Sequence, residues 1–306
     1  MRRPAGERRF HEGPLVVFTA FTVAGGGMGW AYLLRGLLGG GAPEAGEGAS
    51  WLLPPEAALV MAGLLALGMA ASLLHLGRPA RGLLALRRTG RSPLSNEVVL
   101  AGLAGLLALV RGLTAGGGPA AVGSSILIGV ISFLLLVTLG RVYRLAGQEG
   151  WGGPALLQPL VLGTIWGGLL LGPLAGDAGS LEGATGGLAP VVLVALLLVD
   201  GGLLGLRIRG LEAGCRAGEP VHPRIFRARG PWLAVRLVLT PLLPLAALLV
   251  DPGGVILPLA SLSLGILLDR WLFYGLALRR STEAEVDRVD ALLLRGMAAP
   301  RRRTGL

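Results

Sequence analysis

Four stretches of this chain, Pro14 to Leu34, Ala57 to Leu74, Ala120 to Gly140 and Pro154 to Ala175, run for roughly twenty residues each without a charge. A helix needs about 20 such residues to cross the hydrocarbon of a bilayer, at about 1.5 Å per residue. Two shorter clean runs, Val98 to Val110 and Leu237 to Val250, reach that length if Glu97, Arg111 and Arg236 sit near span ends, where arginine stems carry the charge out to water. Only helices and closed barrels satisfy every backbone N–H and C=O in lipid, and runs this long without two-residue alternation exclude a barrel. The chain therefore reads as an all-α integral membrane protein, a bundle of eight transmembrane helices. The expected spans lie near 14–34, 56–76, 95–113, 120–140, 154–175, 186–206, 231–250 and 254–278, in a single polytopic domain over 1–306. A hydrophobic content of 53% leaves little sequence for a separate soluble domain.

Every basic residue is arginine, and the arginines alternate between connections. They crowd the amino-terminal tail (Arg2, Arg3, Arg8, Arg9), the second connection (Arg78, Arg81, Arg87, Arg88, Arg91), the fourth (Arg141, Arg144), the sixth (Arg207 to Arg229) and the carboxy-terminal tail. The intervening connections carry Glu44, Glu47, Asp177, Glu182 and Asp251 instead. Basic loops stay on the cytoplasmic side, so both termini are expected there, in the cytoplasmic (inner) membrane. Arg8-Arg9-Phe10 faintly resembles a twin-arginine leader, but the apolar run after it is too long for a cleaved signal and is kept as the first span. A net charge of +10 spread over juxtamembrane loops suits anionic lipid, and no nucleic-acid partner is expected. Glycine, 52 residues in all, recurs at four-residue spacing in Gly25…Gly29, Gly163…Gly167, Gly168…Gly172 and Gly201…Gly205. Such pairs let helices approach closely, although glycine this common also produces the spacing by chance.

The densest set of polar groups lies between the second and third spans. It reads His75-Leu76-Gly77-Arg78-Pro79-Ala80-Arg81 and then Ser92-Pro93-Leu94-Ser95-Asn96-Glu97. An imidazole closes one span and a carboxylate opens the next, so both return to the same membrane face. Each has a bland reading. His75 can cap the span end; Glu97 can sit in the field of a helix started by Ser92 as N-cap and Pro93 at the first position; Arg78 and Arg81 can bind lipid phosphate. Further ionisable groups fall within spans at Asp200, Arg236, Asp269 and Arg270. These either serve a site or pair with one another to hold helices together. No metal site is expected. The one cysteine, Cys215, cannot ligate an iron–sulfur cluster alone, and a bis-histidine haem would have only His11, His75 and His222, none deep in a span.

At these residues the chain resembles the DMSO reductase membrane anchor subunits (DmsC type), within the broader NrfD and polysulfide-reductase-like membrane subunits. The resemblance rests on His75-Leu76-Gly77-Arg78-Pro79, on Ser92-x-Leu94-Ser95-x-Glu97, on His11-Glu12-x-Pro14-Leu15-Val16-Val17-Phe18-Thr19, and on Arg270-Trp271-Leu272-Phe273-Tyr274. Gly13, Pro93 and Asn96 stand where that family usually carries Trp, Trp and Arg. The resemblance implies a haem-free anchor for a molybdopterin catalytic subunit and a four-cluster iron–sulfur subunit, one that binds and oxidises menaquinol. It implies His75 and Glu97 as quinol-binding residues; beside them Arg78 and Arg81 are candidates to orient the quinol oxygen or stabilise the carboxylate, and His11, Asp200, Arg236, Asp269 and Arg270 are candidate supporting residues. The chemistry agrees, because quinol oxidation releases two protons, one of which suits an imidazole and the other a buried carboxylate. A purely structural anchor and a secondary transporter remain the alternatives, the latter expected to show internal repeats with interrupted helices.

Overall fold

The computed structural model describes residues 13–38, 52–75, 87, 89–114, 116–142, 152–174, 189–216, 223–251 and 254–276. These form α1 (Gly13–Leu38), α2 (Pro55–His75), α3 (Pro93–Leu113), α4 (Pro119–Val142), α5 (Gly152–Leu174), α6 (Ala189–Arg216), α7 (Pro223–Leu237), a π turn (Val238–Leu242), α8 (Leu243–Val250) and α9 (Ile256–Leu276). The molecule divides into two compact units, Met1–Leu276 and Ala277–Leu306. The second lies outside the described residues.

The all-α membrane bundle expected from the sequence is the fold observed. Seven spans are long and apolar enough to cross a membrane, one of them running Gly230–Val250 through α7, the π turn and α8, and α5 adds the shorter apolar stretch Leu156–Gly172. Helices α2, α3, α4 and α7 each open on proline, which has no N–H to leave unsatisfied in a first turn and whose fixed φ suits a helix start.

Helix α1 is the axis of the bundle, packing against α2, α4, α5 and α9, while α2, α3, α4 and α5 follow one another around it. Lipid supplies no hydrophobic drive between helices, so close contact of small residues does the joining. A methyl group at Gly27 would overlap the carbonyl of Gly163, and one at Gly167 would overlap the backbone of Gly27, so α1 and α5 touch main chain to main chain. Gly25 packs on Leu65 of α2, and Gly29 on Ser132 of α4. Two of the four spaced glycine pairs thus form interfaces, whereas Gly168 and Gly205 face open space.

The remaining helices, α6, α7 with its π turn, α8 and α9, gather beside α5, with α9 packed on α1 as well. Pro241 has no N–H to donate, and the chain loosens there into the π turn, where Leu243 N donates to Val238 O and the Thr240 hydroxyl donates to Arg236 O at 2.8 Å.

Arginine placement differs from expectation at three positions. Arg236 does not sit at a span end: helical structure already begins at Pro223, and the side chain is fully buried because two carboxylates receive it. Arg111 is in the last turn of α3 but buried, its Nη1 donating to Thr114 O at 2.8 Å rather than reaching out to water. Arg207 belongs to no connection, since α6 continues to Arg216 and encloses it. Cys215, which the expected spans 186–206 and 231–250 leave in the sixth connection, likewise falls in the last turn of α6.

Candidate functional site

The α2–α3 hairpin fixes where the two most prominent site residues lie. Leu59 of α2 packs on Gly112 of α3, and Leu65 on Gly105. The facing numbers sum to 171 and 170, so the two helices run antiparallel and His75 falls opposite Ser95 or Asn96. The end of α2 and the start of α3 therefore share one level, with His75 and Glu97 within a turn of each other in height. His75 is the last residue of α2, and its side chain lies outside the described residues, as do His11, Arg78, Arg81 and His222.

The α3 start is set much as its sequence indicates. Ser92 takes the N-cap position with extended backbone and Pro93 follows at the first helical position, but the Ser92 hydroxyl makes no capping bond. The first helical bond runs from Asn96 N to Ser92 O at 3.0 Å. The Asn96 side chain accepts from Gly90 N at 2.6 Å, clamping the preceding turn, and Gly90 has a φ of +83° that suits glycine. Next in line, Glu97 is 1% exposed, and among the described residues its Oε1 has no hydrogen-bond partner. The N-cap and the glutamate's place in the helix match the bland reading, yet a buried carboxylate oxygen left unpartnered is one that a cap would have satisfied.

The supporting residues meet on the other side of the bundle. Arg236 donates to Asp200 through both terminal nitrogens, at 2.7 and 2.8 Å, the two-pronged geometry that guanidinium and carboxylate share. Its Nε reaches Asp269 Oδ1 at 3.2 Å. The same oxygen receives Arg207 Nη1 at 3.0 Å and the Gln158 amide at 3.0 Å. Arg270 Nη2 stands 3.4 Å from Asp269 Oδ2. Asp269 is thus a hub joining α5, α6, α7 and α9. Phe273, one turn on, lies beneath two of the cations, with the Arg207 and Arg270 guanidinium carbons 5.6 and 5.9 Å from its ring centre.

Of the nine residues singled out from sequence, Asp200, Arg236, Asp269 and Arg270 come together in this one cluster. Glu97 stands apart from it on α3. Arg207 and Gln158 were missed. A signal for Arg207 exists, because it follows Asp200 by seven residues, which is two helical turns on the same face. Gln158, uncharged in an apolar run, gives none.

The family model for the DMSO reductase anchor subunit (DmsC) matches residues 7–276. The chain belongs to that family. It is 29% identical over 289 residues to the C subunit of the anaerobic dimethyl sulfoxide reductase of Escherichia coli (strain K12), covering 87% of this protein and 95% of the relative. A shorter match, 31% identical over 121 residues, joins it to the C subunit of the same enzyme from Haemophilus influenzae, covering 37% of this protein and 42% of the relative. This DmsC family member is a multi-pass membrane protein, and the matched region takes in the whole described bundle.

Proposed function

We propose that this protein anchors a DMSO-reductase-like molybdopterin oxidoreductase in the cytoplasmic membrane, oxidises menaquinol at the α2–α3 end of the bundle, and passes the electrons to a four-cluster iron–sulfur partner in anaerobic respiration. The observation that carries the reading is Glu97: a buried carboxylate with one oxygen that no described residue partners, one turn or less from the level of His75. A buried polar atom without a partner costs about 1–3 kcal/mol, and a site that receives a hydroxyl accounts for keeping one. The residues fit a quinol, whose two hydroxyl groups need two acceptors. Glu97 takes one proton, and His75 takes the other as a neutral imidazole. Arg78 and Arg81, in the same connection, orient the quinol oxygens. The electrons leave through the partner, since the single cysteine holds no cluster. Arginine-rich connections beside this end, where Arg87 and Arg91 are exposed, form the docking rim for that partner.

A purely structural anchor is favoured by one observation, the ion-pair hub at Asp269, which would hold α5, α6, α7 and α9 together whether or not a quinol binds. His75→Arg separates the readings. The variant keeps a polar group at the helix end but removes the neutral imidazole, so it is expected to assemble with the soluble subunits and to lose quinol-analogue oxidation by about 100-fold or more. Membranes that contain the assembled variant and oxidise the analogue at the wild-type rate leave only the structural anchor.

A further inference from the structure

The span that carries Arg236 has two buried stripes that are out of step. Leu233 and Arg236 are buried in α7, Thr240 and Pro241 side by side in the π turn, and Pro244 and Leu248 in α8. Successive residues of an α-helix turn by about 100°. Pro244 follows Arg236 by eight residues and Leu248 follows it by twelve, so in an unbroken α-helix the arginine would stand about 80° and about 120° away from them. It would then leave the face that packs on the bundle at a point about 9 Å inside the Gly230–Val250 span, where a guanidinium turned to lipid is costly. The π turn removes the discrepancy. Its bond from Leu243 N to Val238 O closes over five residues rather than four, which absorbs about one residue, and Arg236 comes within about 20° of both Pro244 and Leu248. Leu237 and Leu243, on either side, keep helical backbone angles, so the chain changes phase without breaking.

We propose that Pro241, through the π turn it imposes, is the positioning residue that turns Arg236 into the bundle and onto Asp200 and Asp269. Inside a continuous α-helix the Pro241 ring would collide with the Leu237 carbonyl and leave that carbonyl without its bond, which makes the α register the unfavourable one here. Pro244 does not stop the helix from resuming, because it stands in the first turn of α8, where an N–H would lack a helical partner in any case. The neighbouring helices leave room for the turn. A methyl group at Gly265 of α9 would overlap Thr240 Cγ2, and Gly201 of α6 faces the Pro241 ring. Both glycines stand beside a carboxylate that Arg236 uses: Gly201 adjoins Asp200, and Gly265 precedes Asp269 by four residues on the same face of α9. The turn is thus seated on the same two helices, α6 and α9, that supply the acceptors. Thr240, buried against Gly265, ties that seat to the arginine through its hydroxyl, which donates to Arg236 O at 2.8 Å.

The test compares thermal midpoints of the full-length protein solubilised from membranes. Pro241→Ala permits the α register, in which Arg236 and the Pro244–Leu248 face cannot both reach their partners, and is expected to lower the midpoint by about 5–10 °C. Deleting Val238, an exposed residue of the turn, removes the surplus residue and lets an unbroken α-helix carry Arg236 and Pro244 on one face. Pro241→Ala combined with that deletion is therefore expected to recover about half of the loss or more. A proline that only fills space would give the opposite result, since a deletion would deepen a packing defect. If Pro241→Ala does not accumulate in the membrane, recovery of membrane content by the deletion is read in place of the midpoint. A second background isolates the arginine. In the Asp200→Ala, Arg236→Leu chain there is no pair to align, and Pro241→Ala is expected to cost about 2 °C or less. An unchanged midpoint in Pro241→Ala, a deletion that fails to recover it, or an equal loss in both backgrounds overturns the assignment. Each readout is independent of quinol turnover, so failure here leaves the roles proposed for His75 and Glu97 untouched.

Discussion

Where α1 meets α5 the helices touch main chain to main chain at Gly27, Gly163 and Gly167, whereas α5 meets α6, α7 and α9 through Gln158, Arg207, Arg236 and Asp269. The two kinds of contact answer the same need, because lipid gives helices no hydrophobic reason to associate. They differ in what they permit afterwards. A glycine contact is fixed geometry, gains dispersion energy over many atom pairs, and has no charge to change. An ion-pair hub in a poorly screening interior depends on every partner, because removing one leaves a buried charge uncompensated. Helix α5 carries both, with Gln158 and Gly163 little more than one turn apart. The hub half is thus held by α5 to an axis of fixed geometry.

This contrast breaks most sharply at Asp200. Asp200→Ala leaves two nitrogens of a fully buried arginine without their acceptor. Removing one partner of a buried pair costs about 3–5 kcal/mol, so the variant is expected to lose heat resistance and assembly in detergent. Replacing Arg236 by Leu in the same variant should restore much of the loss, because apolar side chains of suitable volume substitute well for buried pairs. A double variant as unstable as the single would mean that the cluster does not hold these helices by charge pairing.

Gly27→Val tests the other half with a smaller expected effect. The added side chain meets the Gly163 backbone, which has no rotamer to turn away, so α1 and α5 must separate. Overpacking of this kind costs about 1–3 kcal/mol. A wild-type thermal midpoint for the solubilised variant would show that the helices do not approach as closely as described.

Most of the architecture is legible in the sequence because the spans are nearly free of charge, and lipid leaves a charge-free run of that length few other fates. The level of His75 and Glu97 is legible for the same reason, since two adjoining spans must return to one face. What stays hidden depends on which helix faces meet. Arg207 and Arg236 read as span-end or loop arginines when each is taken alone; they are buried because Asp200 and Asp269 wait on neighbouring helices. Gln158 has no charge to mark it. Four-residue glycine spacing is equally present in pairs that form interfaces and in residues that face open space, because the spacing fixes a face of one helix and says nothing about what covers it.

The smallest expected effect discriminates between two neighbours. Gly167 and Gly168 are adjacent in α5, alike in depth and composition, and about 100° apart around the helix axis. A methyl group at Gly167 would overlap the backbone of Gly27, whereas one at Gly168 meets nothing within 4 Å. Gly168→Ala should therefore leave the thermal midpoint unchanged or raise it slightly, since alanine favours helix over glycine by at most about 1 kcal/mol. Gly167→Ala should lower it, because the clash is with main chain on both sides. Gly205→Ala, also open in its surroundings, should behave like Gly168→Ala. If Gly168→Ala proves the damaging member of the pair, α5 is turned by about one residue relative to α1. That rotation would carry Gln158 off Asp269 and take one support from the ion-pair hub.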